Sequence, residues 1–140
     1  MPRILGIDYG ERRIGLAISD PMGIIAQPLT TLDTQKTTDV FSEIQKLIRE
    51  KNVEQIIVGL PKNMDGTIGK KGKEVLEFAK NLSRQINVKV NLWDERLSSV
   101  ESQKILRDTK KKTRQDKKNI DKLSASLILQ GYLENAKKNE

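Results

Sequence analysis

Two acidic residues lie where a predicted element ends or begins, positions from which a carboxylate can reach the edge of a sheet. Asp8 closes the apolar run ILGID and lies between Gly6 and Gly10, whose bare backbone lets a ligand approach closely. Asp121 opens the apolar stripe of a predicted helix, and burying its charge is costly unless the carboxylate is paired or bound to metal. The competing interpretations are an ordinary turn-forming role for Asp8 and a helix-capping role for Asp121.

The fifth predicted strand ends in two further acids, Asp94 and Glu95. Successive strand residues point to opposite faces of a sheet, so only one of the two can face a given site. Parity groups Glu95 with Trp93 and Asp94 with Val90, and it does not choose between them. The competing interpretation is a solvated strand end in which Arg96 is the ion-pair partner.

The absence of two residue types narrows the chemistry that these acids could perform. The sequence contains no Cys and no His, which excludes disulfides, thiolate nucleophiles, cysteine zinc sites and imidazole bases. One acid from each position would make a hard, oxygen-only site suited to Mg²⁺ or Mn²⁺. Two such ions about 3.5–4 Å apart can activate a water and stabilise the leaving oxygen of a phosphodiester. The functional interpretation of these acidic residues is therefore metal-assisted hydrolysis.

The positive charge of the chain favours a polyanionic partner such as nucleic acid. The formal net charge is +7, and the segment 110–118 carries six basic residues against one acidic residue. Such a run is either a solvated, mobile loop or an arm that grips phosphates. The loop 61–72 is rich in Gly and Lys ahead of a predicted helix, but its spacing is not that of a Walker A loop. The candidate nucleic-acid contacts are basic or amide residues of these two segments, the first hairpin and the fifth strand end: Arg12, Arg13, Lys62, Asn63, Lys70, Lys71, Arg96, Lys110, Lys111, Lys112 and Arg114.

The elements that must position these residues follow a mixed order. Three strand-like runs, 4–8, 13–19 and 24–32, predict an antiparallel meander, and Pro28 favours an edge position for the third. Helices are predicted over 37–51, 75–86, 97–108 and 120–136, with strands over 55–60 and 87–93. The predicted architecture is an α/β fold in one domain spanning 1–140, with a mixed sheet and helices on both faces.

Four segments in this order resemble a known family. GIDYGERRIGLAISD at 6–20, VGLPKNMDGTIG at 58–69, WDERLSS at 93–99 and DKLSASLILQGYL at 121–133 are similar to motifs of the YqgF/RuvX family of bacterial nucleases. The resemblance covers nearly the whole chain. It implies an RNase H-like fold with a five-stranded mixed sheet and with acidic residues meeting at one edge.

The same resemblance implies roles for individual residues. It identifies Asp8, Glu95 and Asp121 as the catalytic acids and the ligands of Mg²⁺ or Mn²⁺, with Glu95 chosen through the family's DER motif and Asp94 kept as a second candidate. Ser124 stands where the family often has Ala, a small change that should not disturb Asp121.

The family is associated with maturation of the 5′ end of precursor 16S ribosomal RNA and, through similarity to Holliday junction resolvases, with cutting branched DNA. Structured RNA is the favoured partner and branched DNA the alternative. A non-catalytic RNA-binding assembly factor and an ATP-binding module are the other hypotheses. No membrane partner is expected, the expected compartment is the cytoplasm, and the protein is expected to be a monomer or a homodimer.

Overall fold

The computed structural model describes residues 2–97, 101, 104, 105, 108 and 117–138. Its strands and helices follow the predicted order, with a short 3₁₀ turn over Glu95–Leu97 after the last strand. The strands are β1 (Arg3–Asp8), β2 (Arg13–Ser19), β3 (Ala26–Asp33), β4 (Val53–Leu60) and β5 (Lys89–Asp94). The helices are α1 (Val40–Lys51), α2 (Lys70–Gln85) and α3 (Lys117–Lys138).

The five strands form one mixed sheet in the order β3-β2-β1-β4-β5. The strands β1, β2 and β3 pair antiparallel, whereas β1, β4 and β5 run parallel to one another. Parallel strands end at the same side of a sheet, so Asp8, Leu60 and Asp94 close a common edge, called here the carboxyl edge. The strand β3, which contains Pro28, lies at the outside of the sheet, as the proline predicts.

The two faces of the sheet are covered by different helices, because strand side chains alternate between the faces. Leu5, Ile7 and the partly buried Val90 belong to a large apolar core that also includes residues of α1 and α2. Ile57 and Trp93 belong to a smaller core with residues of α3. We call these two sides the α1/α2 face and the α3 face.

Side chains at the ends of the elements explain where they begin and end. The Asp39 carboxylate accepts hydrogen bonds from the backbone N–H groups of Phe41 and Ser42, which caps the start of α1. Asn52 ends α1 in the left-handed conformation, with φ of 57°. At the other end of the sheet, the Gln130 side chain of α3 accepts from the N–H of Ala26 at 2.8 Å, which ties α3 to the start of β3.

The predicted boundaries differ from the observed ones by a few residues. The helix α2 begins at Lys70, so the Gly-rich loop is shorter than predicted and Lys70 and Lys71 form the first turn of the helix. The helix α3 begins at Lys117, ahead of the predicted start at 120. In the predicted helix 97–108 the described residues Glu101, Lys104, Ile105 and Asp108 are helical. No helix of the described residues is both long and apolar enough to span a membrane.

Candidate active site

The carboxyl edge places Asp8 between two glycines of the neighbouring strands. Gly15 of β2 pairs directly with Asp8. On the other side, Ile7 of β1 pairs with Val58 of β4, and Asp8 and Gly59 are the next residues of these two strands. Because neighbouring strands lie about 4.8 Å apart, the carboxylate of Asp8 emerges from a strip with no side chain on either side.

Each of these two glycines is covered by a region that carries another candidate acid. A Cβ atom at Gly15 would collide with the backbone oxygen of Asp121, so the start of α3 rests directly on β2. A Cβ atom at Gly59 would lie 3.2 Å from Oε1 of Glu95 and 2.7 Å from Cδ1 of Ile128. Asp121 and Glu95 therefore lie over the positions that flank Asp8, on the α3 face.

The neighbouring acid Asp94 belongs to the opposite face and is already neutralised. Its carboxylate accepts hydrogen bonds from the backbone N–H and from Nη2 of Arg96, both at 2.9 Å, and lies 3.7 Å from Nζ of Lys62. The hydrogen bond from the Arg96 side chain lowers the pKa of Asp94, although partial burial opposes this effect. The position of Glu95 over Gly59 and the ion pairing of Asp94 both favour Glu95 as the acid on the same side as Asp8.

One carboxylate oxygen of Asp121 is already paired with a cationic side chain. Nε of Arg13 donates to Oδ2 of Asp121 at 2.8 Å, and both side chains are about one-quarter exposed, at 26% and 24%. In the described part of the chain, no three acidic side chains are arranged closely enough to hold one metal ion. The three acids offer oxygen atoms, the donors that a hard divalent ion prefers, and they lie on the same face of the sheet. Arg13 competes with such an ion for Asp121.

Apart from Lys62 and Arg96, which pair with Asp94, the predicted basic contacts fall into three groups. Arg12 and Arg13 lie in the first hairpin, where Arg12 Nε is 3.2 Å from Oδ1 of Asp33. Lys70 and Lys71 are exposed on the first turn of α2, and Nζ of Lys71 lies 5.4 Å from the centre of the Tyr9 ring. Four predicted contacts, Lys110, Lys111, Lys112 and Arg114, lie outside the described residues.

The loop between β4 and α2 is held by its own side chains. Oδ1 of Asp65 accepts from the Thr67 hydroxyl at 2.6 Å and from its N–H at 3.0 Å, and Nδ2 of Asn63 donates to the same hydroxyl at 2.9 Å. Gly66 has φ of 89°, a conformation that favours glycine. The loop keeps the side chain of Met64 almost fully exposed, at 96%. Asn63, a predicted contact, is thus committed to the loop's internal hydrogen bonding.

Sequence reasoning missed three features of this site. The glycines beside Asp8 along the chain, Gly6 and Gly10, are not those that flank its carboxylate; across the sheet, that position belongs to Gly15 and Gly59. A glycine inside an otherwise apolar strand is a signal of close approach, and both missed glycines carry that signal. The pairing of Arg13 with Asp121 joins residues 108 positions apart and has no sequence signal.

The strand order and the helices on both faces define the RNase H-like class of fold, and known structures agree. The RuvC resolvase of Thermus thermophilus, solved in complex with a Holliday junction substrate, matches 97% of this chain with a TM-score of 0.60 at 13% identity, and 97% of its own chain is covered. A fowlpox virus resolvase solved with Holliday junction DNA matches 96% of this chain and 98% of its own, with a TM-score of 0.56 at 15% identity. The predicted fold class is confirmed.

Sequence comparison identifies the family within this class. The model of the RuvX family, described as Holliday junction resolvase, matches residues 2–135. A relative from Thermoanaerobacter pseudethanolicus, named "Putative pre-16S rRNA nuclease", is 46% identical over 96% of this chain and 98% of its own. A relative of the same name from Clostridium novyi is 42% identical over 94% of this chain and 98% of its own. The chain belongs to the RuvX family, which confirms the resemblance and the prediction of a nuclease that hydrolyses phosphodiester bonds.

Proposed function

We propose that this chain is a divalent-metal-dependent nuclease that processes the 5′ end of precursor 16S ribosomal RNA in the cytoplasm, acting as a single domain. The observation that supports the site is the row Gly15, Asp8 and Gly59 at the carboxyl edge, with Asp121 and Glu95 lying over the two glycines. The curated relatives' names support the ribosomal RNA substrate.

The residues of the site have distinct roles in this proposal. Asp8, Glu95 and Asp121 hold Mg²⁺ or Mn²⁺ through carboxylate oxygens, and the bound ion supplies Lewis-acid activation of water and charge neutralisation at the phosphate. Gly15 and Gly59 leave the space beside Asp8 that a phosphate backbone needs in order to approach.

The basic residues at the carboxyl edge position the nucleic-acid backbone in this proposal. Arg13 would give up Asp121 to a bound ion, and its guanidinium would contact a phosphate oxygen instead. Arg12, Lys62, Lys70, Lys71 and Arg96 extend the positive surface along the same edge, and the basic segment 110–118 adds further phosphate contacts.

Cleavage of two end-labelled substrates tests the activity and the substrate together. A precursor 16S 5′-leader RNA and a four-way DNA junction are incubated with Mg²⁺, Mn²⁺ or EDTA, using wild type, Asp8→Asn and the control Glu54→Gln, whose side chain is exposed at the opposite end of β4. We expect metal-dependent cutting of the RNA by wild type and the control, and a loss of at least roughly 100-fold in Asp8→Asn. Unchanged cutting by Asp8→Asn would refute the assignment of the site.

The same experiment separates the alternative functions. Symmetric cutting of the junction, with the RNA intact, would identify a DNA resolvase, the activity that the family description names. Such an enzyme is expected to act as a homodimer, since paired incisions need two sites related by symmetry, whereas RNA trimming is compatible with a monomer. RNA binding that persists in EDTA without any product would favour a non-catalytic assembly factor.

Metal binding by the three acids is tested without any substrate. Arg13→Gln removes the cation that competes for Asp121, so we expect Mn²⁺ to bind roughly 3- to 10-fold more tightly, measured by calorimetry or electron paramagnetic resonance. The matched control is Arg12→Gln, which breaks the neighbouring ion pair with Asp33 and should leave Mn²⁺ affinity unchanged. Equal affinities in wild type and Arg13→Gln would exclude Asp121 as a ligand.

A further inference from the structure

The residue after Asp8 begins a second, chemically different feature at the carboxyl edge. Tyr9 lies on the α1/α2 face, where its ring stacks on Phe78 of α2 with centroids 4.4 Å apart and planes 26° apart. The ring of Phe41 stacks on Phe78 from α1, with centroids 5.8 Å apart. Three aromatic rings, from α1, from α2 and from the segment after β1, therefore form one stack directly behind the candidate active site.

These rings line an open cavity of about 670 Å³. Tyr9 and Phe41 are only partly buried, so part of their aromatic surface faces this space, whereas Phe78 is 6% exposed and supports them from below. The volume lies in the range of small-molecule and cofactor sites. The cavity opens at the same edge of the sheet as Asp8, because Tyr9 follows the end of β1 and Lys70 begins α2 after β4.

The polar wall of the cavity comes from one side of α2. Five polar residues of α2 line the cavity, each three or four positions from at least one other: Lys70, Lys73, Glu74, Glu77 and Asn81. The carboxylates of Glu74 and Glu77 in this wall can accept hydrogen bonds from a group with N–H donors. Lys70 and Lys73 of the same wall are exposed, as is the neighbouring Lys71, and these three ammonium groups favour a phosphate backbone nearby.

We infer that this cavity binds one unstacked nucleobase of the substrate strand, next to the phosphate that is cleaved. Aromatic side chains that stack a splayed-out base, with side chains that bind its polar edge, are the usual means of recognising single-stranded nucleic acid. The carboxylates of Glu74 and Glu77 suit the exocyclic amino group of adenine, cytosine or guanine, which uracil lacks. The base extends the aromatic surface of Tyr9 and Phe41, while its own phosphate stays at the carboxyl edge.

This inference rests on the proposed function, since the base belongs to the nuclease's substrate. It is tested by binding alone, with fluorescently labelled 5′-leader RNA and protein carrying Asp8→Asn in EDTA, so that no cleavage occurs. A series of RNAs has a single abasic nucleotide moved one position at a time. We expect one position at which the abasic change weakens binding roughly 5-fold or more, as expected for the loss of one stacked base.

Combining the abasic series with protein variants tests whether the sensitive base binds in the cavity. In the Phe41→Ala protein, the abasic nucleotide at the sensitive position should weaken RNA binding much less than in the protein with Phe41. The protein change and the RNA change remove the same contact, so their effects are not additive. The Phe41→Trp protein keeps an aromatic surface, so the abasic nucleotide should still weaken its RNA binding at that position. The matched control is Leu47→Ala, a partly buried residue of the same helix that does not line the cavity, and it should leave the abasic profile unchanged.

Circular dichroism and urea unfolding verify that each variant is folded. Glu77→Gln should reduce the preference for an amino-bearing base over uracil at the sensitive position. An abasic profile with no sensitive position, or one that Phe41→Ala leaves intact, would overturn the inference even if wild type cleaves the RNA. A sensitive position that depends on Phe41 in an RNA that wild type does not cut would support the cavity and refute the nuclease proposal.

Discussion

The two faces of the sheet are built on opposite packing rules. On the α1/α2 face, large aliphatic side chains such as Ile7, Leu16 and Ile56 fill the space between the sheet and two helices. On the α3 face, Gly6 and Gly15 remove side chains altogether, and a Cβ atom at Gly6 would lie 2.7 Å from Cβ of Leu129. On the α1/α2 face, apolar side chains hold the helices away from the sheet. On the α3 face, the helix backbone lies directly against the strands.

The close approach has a direct consequence for chemistry. The start of α3 can deliver the short side chain of Asp121 to the carboxyl edge only because β2 has no side chain at Gly15. The large apolar core on the opposite face contributes burial free energy, which offsets the smaller burial at the glycine positions of the α3 face. The α3 face thus positions the acids, whereas the α1/α2 face supplies most of the stability and contains the aromatic cavity.

The largest expected effect separates two adjacent acids that lie on the two faces. Glu95→Gln should reduce RNA cleavage by at least roughly 100-fold, because it removes a carboxylate beside Asp8. Asp94→Asn removes the partner of Arg96 on the other face and should change cleavage by less than roughly 10-fold. The rates are compared under single-turnover conditions with Mg²⁺. The reverse order of effects would assign the metal-binding role to Asp94 and reverse the comparison of the faces.

The next effect concerns stability and uses two glycines near the site. Gly15→Ala places a methyl group against the backbone of α3 and should lower the free energy of unfolding by about 3 kcal/mol, since a backbone cannot rotate away as a side chain can. Gly69→Ala, whose nearest neighbours would be 3.8 Å away in the Asn63 side chain, should cost less than about 1 kcal/mol. Urea unfolding measures both. Equal costs would mean that α3 does not rest on β2.

The smallest effect is the pH dependence of the ion pair at Asp94. Because the pKa of Asp94 is lowered in the folded protein, its contribution to stability is present above its unfolded pKa and is lost as the pH falls through the lower folded pKa. The difference in urea midpoint between wild type and Asp94→Asn should therefore be largest near pH 7 and vanish toward pH 2. Asp20, whose pKa is lowered by backbone N–H groups at the far end of the sheet, remains in both proteins and cancels from the difference. A difference that grows in acid would contradict the pairing of Asp94 with Arg96.

Much of the fold could be predicted because its signals are local. The period of Val40, Ile44 and Ile48 predicts α1, and the proline in β3 predicts an edge strand. The element boundaries were less accurate, because capping and the first helical turn depend on a few backbone hydrogen bonds that weak sequence preferences determine. The early start of α2 is an example, since Gly69 provides no side-chain cap.

The candidate site was only partly predictable, for a physical reason that the glycines make clear. Asp8 can be recognised from its place after an apolar strand, but the glycines that flank its carboxylate come from other strands, and their register is a property of the assembled sheet. Strand parity alone did not decide which of Asp94 and Glu95 lies on the same face as Asp8. That choice depends on which helix covers which face of the sheet.

The amino-acid sequence by itself determined the residue chemistry of this protein: oxygen ligands without Cys or His, a net charge of +7, and the alternation of strands and helices. Those properties depend on composition and short-range spacing. Only the tertiary structure decided that Arg13 pairs with Asp121, that Glu95 lies over Gly59 and that three aromatic rings meet behind Asp8. Each of these contacts joins elements that are distant in the chain, so it forms only when the sheet register and the helix packing bring them together.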